Sequence, residues 1–280
     1  MAVTSEQVKK LRDKTGAGMM DCKKALDEAN GDMELAVEIL RKKGAATAAK
    51  RADKAANEGI VVSKISSDAK TGVIVEINCE TDFVARGNDF VEFANSIALI
   101  VFEQKPKNVE ALLSLPHPNG KTVNDALTEI IGKVGERIDI KRFSIIISEQ
   151  GFVESYIHMG SKLGVLVELN AGFDPTTKLL AKDIAMQVAA MNPIVVAREH
   201  VKQELIEKEM EIYRQQAKNE GKPDQIADKI AHGRLEKYYQ EAVLLEQSFI
   251  KDAGKMVKEL VPNGVTVKQF LRYQLGESAN

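Results

Sequence analysis

The chain has 280 residues, with 39 basic and 41 acidic side chains, for a formal net charge of −2. That length lies near the upper limit for one hydrophobic core and predicts two or more lobes; the even charge balance argues against a nucleic-acid binder driven by a basic excess, while leaving room for a local patch. A hydrophobic content of 44% rules out wholesale disorder, and 5% aromatics with no Trp, in a chain rich in Ala, Glu, Lys and Leu, predicts that helix predominates.

The two cysteines, Cys22 and Cys79, have no spacing that suggests a disulfide framework or a zinc knuckle. Residues 1–6, MAVTSE, lack a basic start followed by an apolar core, so no secretory leader is expected. No stretch approaches the ~20 apolar residues that span a bilayer. A reduced cytoplasm is the expected location, with no membrane partner.

Residues 1–45 read as three short helices. Thr4 and Gln7 form a Thr-x-x-Gln capping box ahead of Val8 and Leu11. The segment from Thr15 to Gly18 breaks that helix. A second runs from about Met19 to Ala29 with Cys22 and Leu26 among its apolar positions, and Asp32 caps a third carrying Leu35, Ala36, Ile39 and Leu40. The unit has the size of a ubiquitin-associated domain. Residues 46–57 follow as an Ala-rich helical linker, expected to hold the unit off the core, so that the core folds without residues 1–50.

An internal repeat organises the middle of the chain. Residues 59–78, GIVVSKISSDAKTGVIVEIN, align with 151–170, GFVESYIHMGSKLGVLVELN, at one offset of 92, without a gap and with ten identities. Each copy reads as strand, Gly-containing turn and strand, followed by a helix near 89–104 or 176–191. The fold class expected is α+β: a duplicated core with antiparallel sheets, comprising one subdomain at 58–148 and another at 149–197 and 241–280. A helix near 123–134 and an alternating strand over 137–147 complete the first copy. Between 198 and 240 two amphipathic patterns, turned at Gly221-Lys222-Pro223 with Asp224 as the second cap, predict a protruding antiparallel helical hairpin. A short helix near 255–260 and an alternating strand over 265–275 close the chain.

Residues suited to catalysis do not assemble in the sequence. Asn119-Gly120-Lys121-Thr122 ends like a phosphate loop, but Leu115 stands where the first glycine belongs and Pro116 and Pro118 intervene. Asp21 occupies the third-glycine place of a dinucleotide fingerprint after Gly16 and Gly18. The four histidines, at 117, 158, 200 and 232, show no metal-ligand spacing. Cys79 and His158 could be imagined as a pair, yet nothing supplies oxyanion donors or a third member. No cofactor, metal or catalytic residue is therefore expected. Glu76 and Glu168 recur at equivalent strand positions, which points to a structural role.

The segment after the second strand is unusual. Turn residues are normally polar, but here Phe83 stands between Asp82 and Val84, followed by Arg86 and Gly87. Two readings stay open: a ring tucked under its own helix, or a side chain presented to a partner's groove. The second copy has Gly172-Phe173-Asp174-Pro175 at this place.

Residues 11–26, LRDKTGAGMMDCKKAL, and 76–86, EINCETDFVAR, resemble the two signatures of the elongation factor Ts family, guanine-nucleotide exchange factors for elongation factor Tu. The duplicated core and helical hairpin fit the same family. The resemblance implies that Thr81, Asp82, Phe83 and Val84 act on the magnesium and phosphate site of elongation factor Tu, that Met19 and Met20 are further partner contacts, and that His158, in Tyr156-Ile157-His158-Met159-Gly160, is another. It implies an exchange factor without covalent chemistry, which binds the GDP-carrying partner and no nucleic acid directly; a homodimer within a 2:2 complex stays open. Two other classes remain: a ribosome- or RNA-associated scaffold, and a hydrolase using Cys79 or the carboxylates.

Overall fold

A computed structural model describes residues 3–277. Met1 and Ala2, the start of the segment read against a leader, lie outside the described residues, as do 278–280 of the last subdomain. The chain opens with α1 (Ser5–Thr15), α2 (Met19–Glu28) and α3 (Met33–Arg51). Thr4 and Gln7 exchange the capping-box hydrogen bonds and Asp32 caps α3 through the Glu34 and Leu35 amides. Val8, Leu11, Cys22, Leu26 and Ala36 form the shared core of these helices. At the end of α1, Gly16 sits at φ +66°, the left-handed conformation of a helix C-cap, where a Cβ would meet the Lys133 side chain at 2.5 Å.

The Ala-rich stretch departs from expectation. It extends α3 without a break to Arg51, and instead of standing off the core it lies against a later helix, α7 (Val123–Val134). The helices meet where two glycines face each other: a Cβ on Gly132 would come within 2.9 Å of the Gly44 Cα. Ala48 joins the core cluster of the neighbouring sheet. Removing residues 1–50 would therefore strip cover from α7.

The first half contains β1 (Glu58–Ile65), β2 (Thr71–Cys79), α4 (Asp82–Ala85), α5 (Asn88–Gln104), α6 (Val109–Leu113), α7 (Val123–Val134) and β3 (Ile138–Ile147). The second contains β4 (Phe152–Ile157), β5 (Leu163–Asn170) and α8 (Pro175–Met191). A 3-10 turn at Arg198–His200 precedes α9 (Gln203–Asn219), so this helix starts later than its charged pattern suggests. The return helix α10 (Asp224–Ala242) takes Pro223 as its N-cap, and Asp224, expected to cap it, is instead its first residue, paired with Lys218. A small hairpin, β6 (Ser248–Phe249) and β7 (Asp252–Met256), precedes a 3-10 turn at Val257–Leu260, and β8 (Thr266–Gln274) ends the fold. The architecture is α+β. No helix among the described residues is long and apolar enough to cross a membrane.

Two three-stranded antiparallel sheets, β1-β2-β3 and β4-β5-β8, repeat one pattern. Ile60 pairs with Ile77 and Phe152 with Leu169; Ile65 pairs with Gly72 and Ile157 with Gly164, all at the offset of 92. Each central strand also carries a bulge at the same place, after Glu76 and after Glu168. The third strands correspond too: Glu76 faces Arg142 and Glu168 faces Gln269. That equivalence is nearly invisible in sequence, because aligning 138–147 on 265–274 leaves only Lys141/Lys268 and Phe143/Phe270 identical.

The sheets lie face to face with helices outside. Val73, Val75 and Ile77 of β2 pack in one cluster with Phe90, Ala94 and Ile97 of α5; Val165, Val167 and Leu169 of β5 do so with Ile184, Ala185 and Val188 of α8. Between the sheets Val61, Ile74, Ile146, Val153, Leu166 and Tyr273 form a separate core. The contact is reciprocal. A Cβ on Gly72 would meet Val153 at 2.6 Å, and one on Gly164 would meet Val61 at 2.7 Å. The Val61 amide donates to the Ser161 carbonyl at 2.6 Å, and the Val153 amide to the Ala69 carbonyl at 2.7 Å. Gly72→Ala and Gly164→Ala should each lower stability by about 1–3 kcal/mol through overpacking. Urea unfolding of the two variants should give similar losses, since each glycine occupies the same place in its half.

Candidate functional site

The two halves also differ between the central strand and the outer helix that follows it. The hairpins align at an offset of 92, but α5 and α8, both 17 residues long, align at 87 and end in matching left-handed caps at Lys105 and Asn192. The five-residue difference falls on the segment that holds α4, a single helical turn. In the second half the shorter loop lets the Phe173 ring pack on Phe152, with centroids 5.2 Å apart. In the first half the longer loop carries Phe83 out to 85% exposure. The tucked-under reading of Phe83 is thus overturned: Ala85 and the partly buried Val84 face the core instead.

This turn is braced at its base. Thr81 caps it, its hydroxyl accepting from the Val84 amide and donating to Glu136 Oε1 at 2.7 Å. The Thr81 amide donates to Glu136 Oε2 at 3.0 Å. Glu80 accepts from Arg51 at 2.7 Å and from the Arg137 amide at 2.7 Å, tying the turn to the end of α3 and the start of β3. Asp82 pairs with Arg86 at 2.6 Å on the outer side. Pairs this exposed contribute at most about 1 kcal/mol, so the carboxylate can be redirected at little cost.

Beside the turn lies a groove of about 510 Å³. Ile60 and Val62 of β1 and Ala85 and Val91 form part of its lining; Ile157, Gly160 and Ser161, from the turn of the second hairpin, close the other side. That second turn is held there by the Val61–Ser161 hydrogen bond. It carries Met159 at 92% exposure and His158, whose Nδ1 lies 2.8 Å from the Tyr156 hydroxyl. The α4 turn and the turn of the second hairpin, far apart in sequence, therefore border one groove through Ala85, Arg86, Ile157, Gly160 and Ser161, and these turns carry Phe83 and His158. Met19 and Met20 stand on a different element, α2, at 46% and 64% exposure. They do not fill the three-helix core; Cys22, Ala25 and Leu26 do.

Sequence reasoning did not single out Glu136, Arg51 or the groove. A signal for the brace was present in the drop of the repeat offset from 92 to 87 across residues 80–87. Glu76 and Glu168 are structural: Glu76 is fully buried, accepts from Arg142 at 2.7 Å and from the Gly276 amide, and Glu168 accepts from Gln269 at 2.7 Å. Cys79 is buried and donates to the Thr81 carbonyl at 3.1 Å; burial first, then the nearby Glu136 charge, push its thiol up to about 12. No group of three or more His, Cys, Asp or Glu among the described residues is arranged to hold a metal ion.

Comparison with known proteins gives this arrangement its setting. The family model described as Elongation factor TS matches residues 80–277. Elongation factor Ts of Chlorobium phaeobacteroides (strain BS1) is 53% identical over 98% of this chain and 99% of its own length. That of Chloroherpeton thalassium (strain ATCC 35110 / GB-78) is 51% identical over the same shares, and that of Clostridium perfringens (strain SM101 / Type A) 49% over 98% and 93%. An α+β fold with such relatives is a translation elongation factor, a component of protein biosynthesis. More narrowly, the chain belongs to the elongation factor Ts family.

Because its thiol pKa is raised, Cys79 should stay protonated and unreactive toward a thiol reagent at pH 9, reacting only after denaturation. The same shift makes folding stability fall as pH rises from about 9, the unfolded value, toward about 12, since only the unfolded thiol releases its proton there. Thiol titration at pH 9, with and without denaturant, checks the first outcome.

Proposed function

We propose that this protein binds elongation factor Tu carrying GDP and speeds release of the nucleotide, with Phe83 and its turn acting on the partner's magnesium and phosphate site. The observation that carries the reading is the 85% exposure of Phe83 on a braced turn that, among the described residues, has no counterpart in the second half. A large ring held out in water by Glu136 and Glu80 is preorganised for a buried place in a partner, so little conformational entropy is lost on docking. Asp82, released from Arg86, supplies a carboxylate beside the metal; Thr81 and Val84 hold the turn. Met159 and His158 extend the contact across the groove, and Met19 and Met20 give the N-terminal helices an adaptable apolar surface.

Exchange of this kind requires no covalent step. A factor that binds the nucleotide-free partner more tightly than the GDP-bound one lowers GDP affinity by the same ratio, because coupling between two ligands is reciprocal. The N-terminal helices, the two core halves and the hairpin at 198–240 serve in this reading as separate contact-bearing parts, and the setting is the cytoplasm. A role as an RNA-associated scaffold has no supporting observation on this surface.

Truncating a buried interface aromatic commonly costs ~2 kcal/mol or more, roughly thirtyfold since ~1.4 kcal/mol is tenfold. Phe83→Ala should slow stimulated GDP release by at least about tenfold while shifting the melting midpoint hardly at all, because an exposed side chain contributes little to folding. Stopped-flow release of labelled GDP from elongation factor Tu and a thermal melt on the same preparation measure both. Full stimulation by the variant would refute the role given to Phe83, and no stimulation by the unaltered chain would refute the function.

A further inference from the structure

A cavity of about 440 Å³ lies at the junction of the N-terminal helices and the first half, away from the Phe83 groove. One wall is the α1–α2 turn and α3; the other is α7 and the loop before it. The floor is apolar, made by Ala17, Val37 and Leu40 with the backbones of Gly44 and Gly132. The volume falls within the range typical of small-molecule sites.

Charge around this floor is one-sided. Lys14, Arg41 and Lys43 line it from the N-terminal helices, and Lys121 and Lys133 from the core, against two carboxylates, Asp21 and Glu129. In a chain of net charge −2 this is a local reversal. Lys43 pairs with Asp21 and Lys121 with Glu129, whereas Arg41 and Lys133 pair with Asp125 and Asp89, which do not line the cavity. Among the described residues no ion pair involves Lys14. Pairs this exposed contribute little to stability, so these cations can turn toward a doubly charged anion at little cost. Lys121 belongs to the Asn119–Thr122 segment whose ending resembles a phosphate loop. The N-terminus of α7 is closed by its own Thr122 and Asp125 capping box, so an anion here would meet lysine side chains and not loop amides.

We propose that this cavity binds a small amphipathic anion, an aromatic or aliphatic body bearing one phosphate-type head. The body lies on Val37 and Leu40, and the head sits between Lys14 and Lys121, one from each wall. A ligand so placed bridges the N-terminal helices and the core and braces their junction.

Calorimetric titration of the full chain with 1-naphthyl phosphate and with uncharged 1-naphthol tests this. One saturable site below about 1 mM is expected, at least tenfold tighter for the phosphate. Combining Lys14→Glu with Lys121→Glu should weaken the phosphate at least tenfold at an unchanged melting midpoint, and Val37→Phe, which fills the floor, should block both compounds. As a check that needs no variant, 1-naphthyl phosphate should protect Lys14 and Lys121, but not Lys222 at the hairpin turn, from acetic anhydride. Absence of saturable binding, equal affinity for the two compounds, or uniform labelling of the three lysines would overturn the proposal.

Discussion

The close approach of the two sheets is the constraint on which the rest of the molecule depends. Each central strand is covered on both faces, by an outer helix on one side and by the other sheet on the other. The sheets can meet at this distance only because a glycine in each half leaves room for a valine of the other: Gly72 for Val153, and Gly164 for Val61. Methyl groups then fill space that would otherwise hold a void, and interiors packed to crystal-like density tolerate neither gaps nor excess there. The same approach carries each hairpin turn to the first strand of the opposite hairpin, where the Val61–Ser161 and Val153–Ala69 hydrogen bonds satisfy backbone groups that the sheets leave free.

Near-symmetry of this kind isolates the feature that breaks it. The five additional residues in the first half turn a loop whose half-exposed aromatic ring rests on the core, Phe173 on Phe152, into one whose ring points out. An exposed ring on a slack loop would spread over many conformers. Glu136 holds Thr81 by both its amide and its hydroxyl, and Glu80 joins the turn to Arg51 and Arg137, so the backbone that carries the ring is fixed. The second hairpin's turn borders the same groove because inter-sheet packing puts it there, and the exposure of Met159 follows from that placement.

Outlying parts are tied in by different means. The N-terminal helices dock through the Gly44–Gly132 crossing, where missing side chains let two backbones approach. The helical hairpin is fixed at its base by Arg198, which donates to Glu246 and Glu236 while its guanidinium lies 4.1 Å from the Tyr239 ring centroid. Planar, permanently charged and able to donate to two carboxylates, arginine suits such an anchor better than lysine.

Much of this was legible without coordinates. The Thr4–Gln7 capping box, the Asp32 cap, the 123–134 helix and both hairpins were readable, because each signal lies within a few residues of the structure it specifies, and the ten identities at offset 92 announced the duplication. The family signature at 76–86 pointed to the turn that the structure holds out into solvent, and the one at 11–26 to the N-terminal helices that expose Met19 and Met20. Four things were decided only in three dimensions: the outward direction of Phe83, the docking of α3 on α7, the equivalence of β3 and β8, and the meeting of the Phe83 and His158 turns across one groove. Each depends on which of two apolar surfaces finds a cover, and that cover comes from residues distant in the chain. Local patterning shows that a side chain is apolar and which face of its element it occupies; only packing decides whether another element lies over that face.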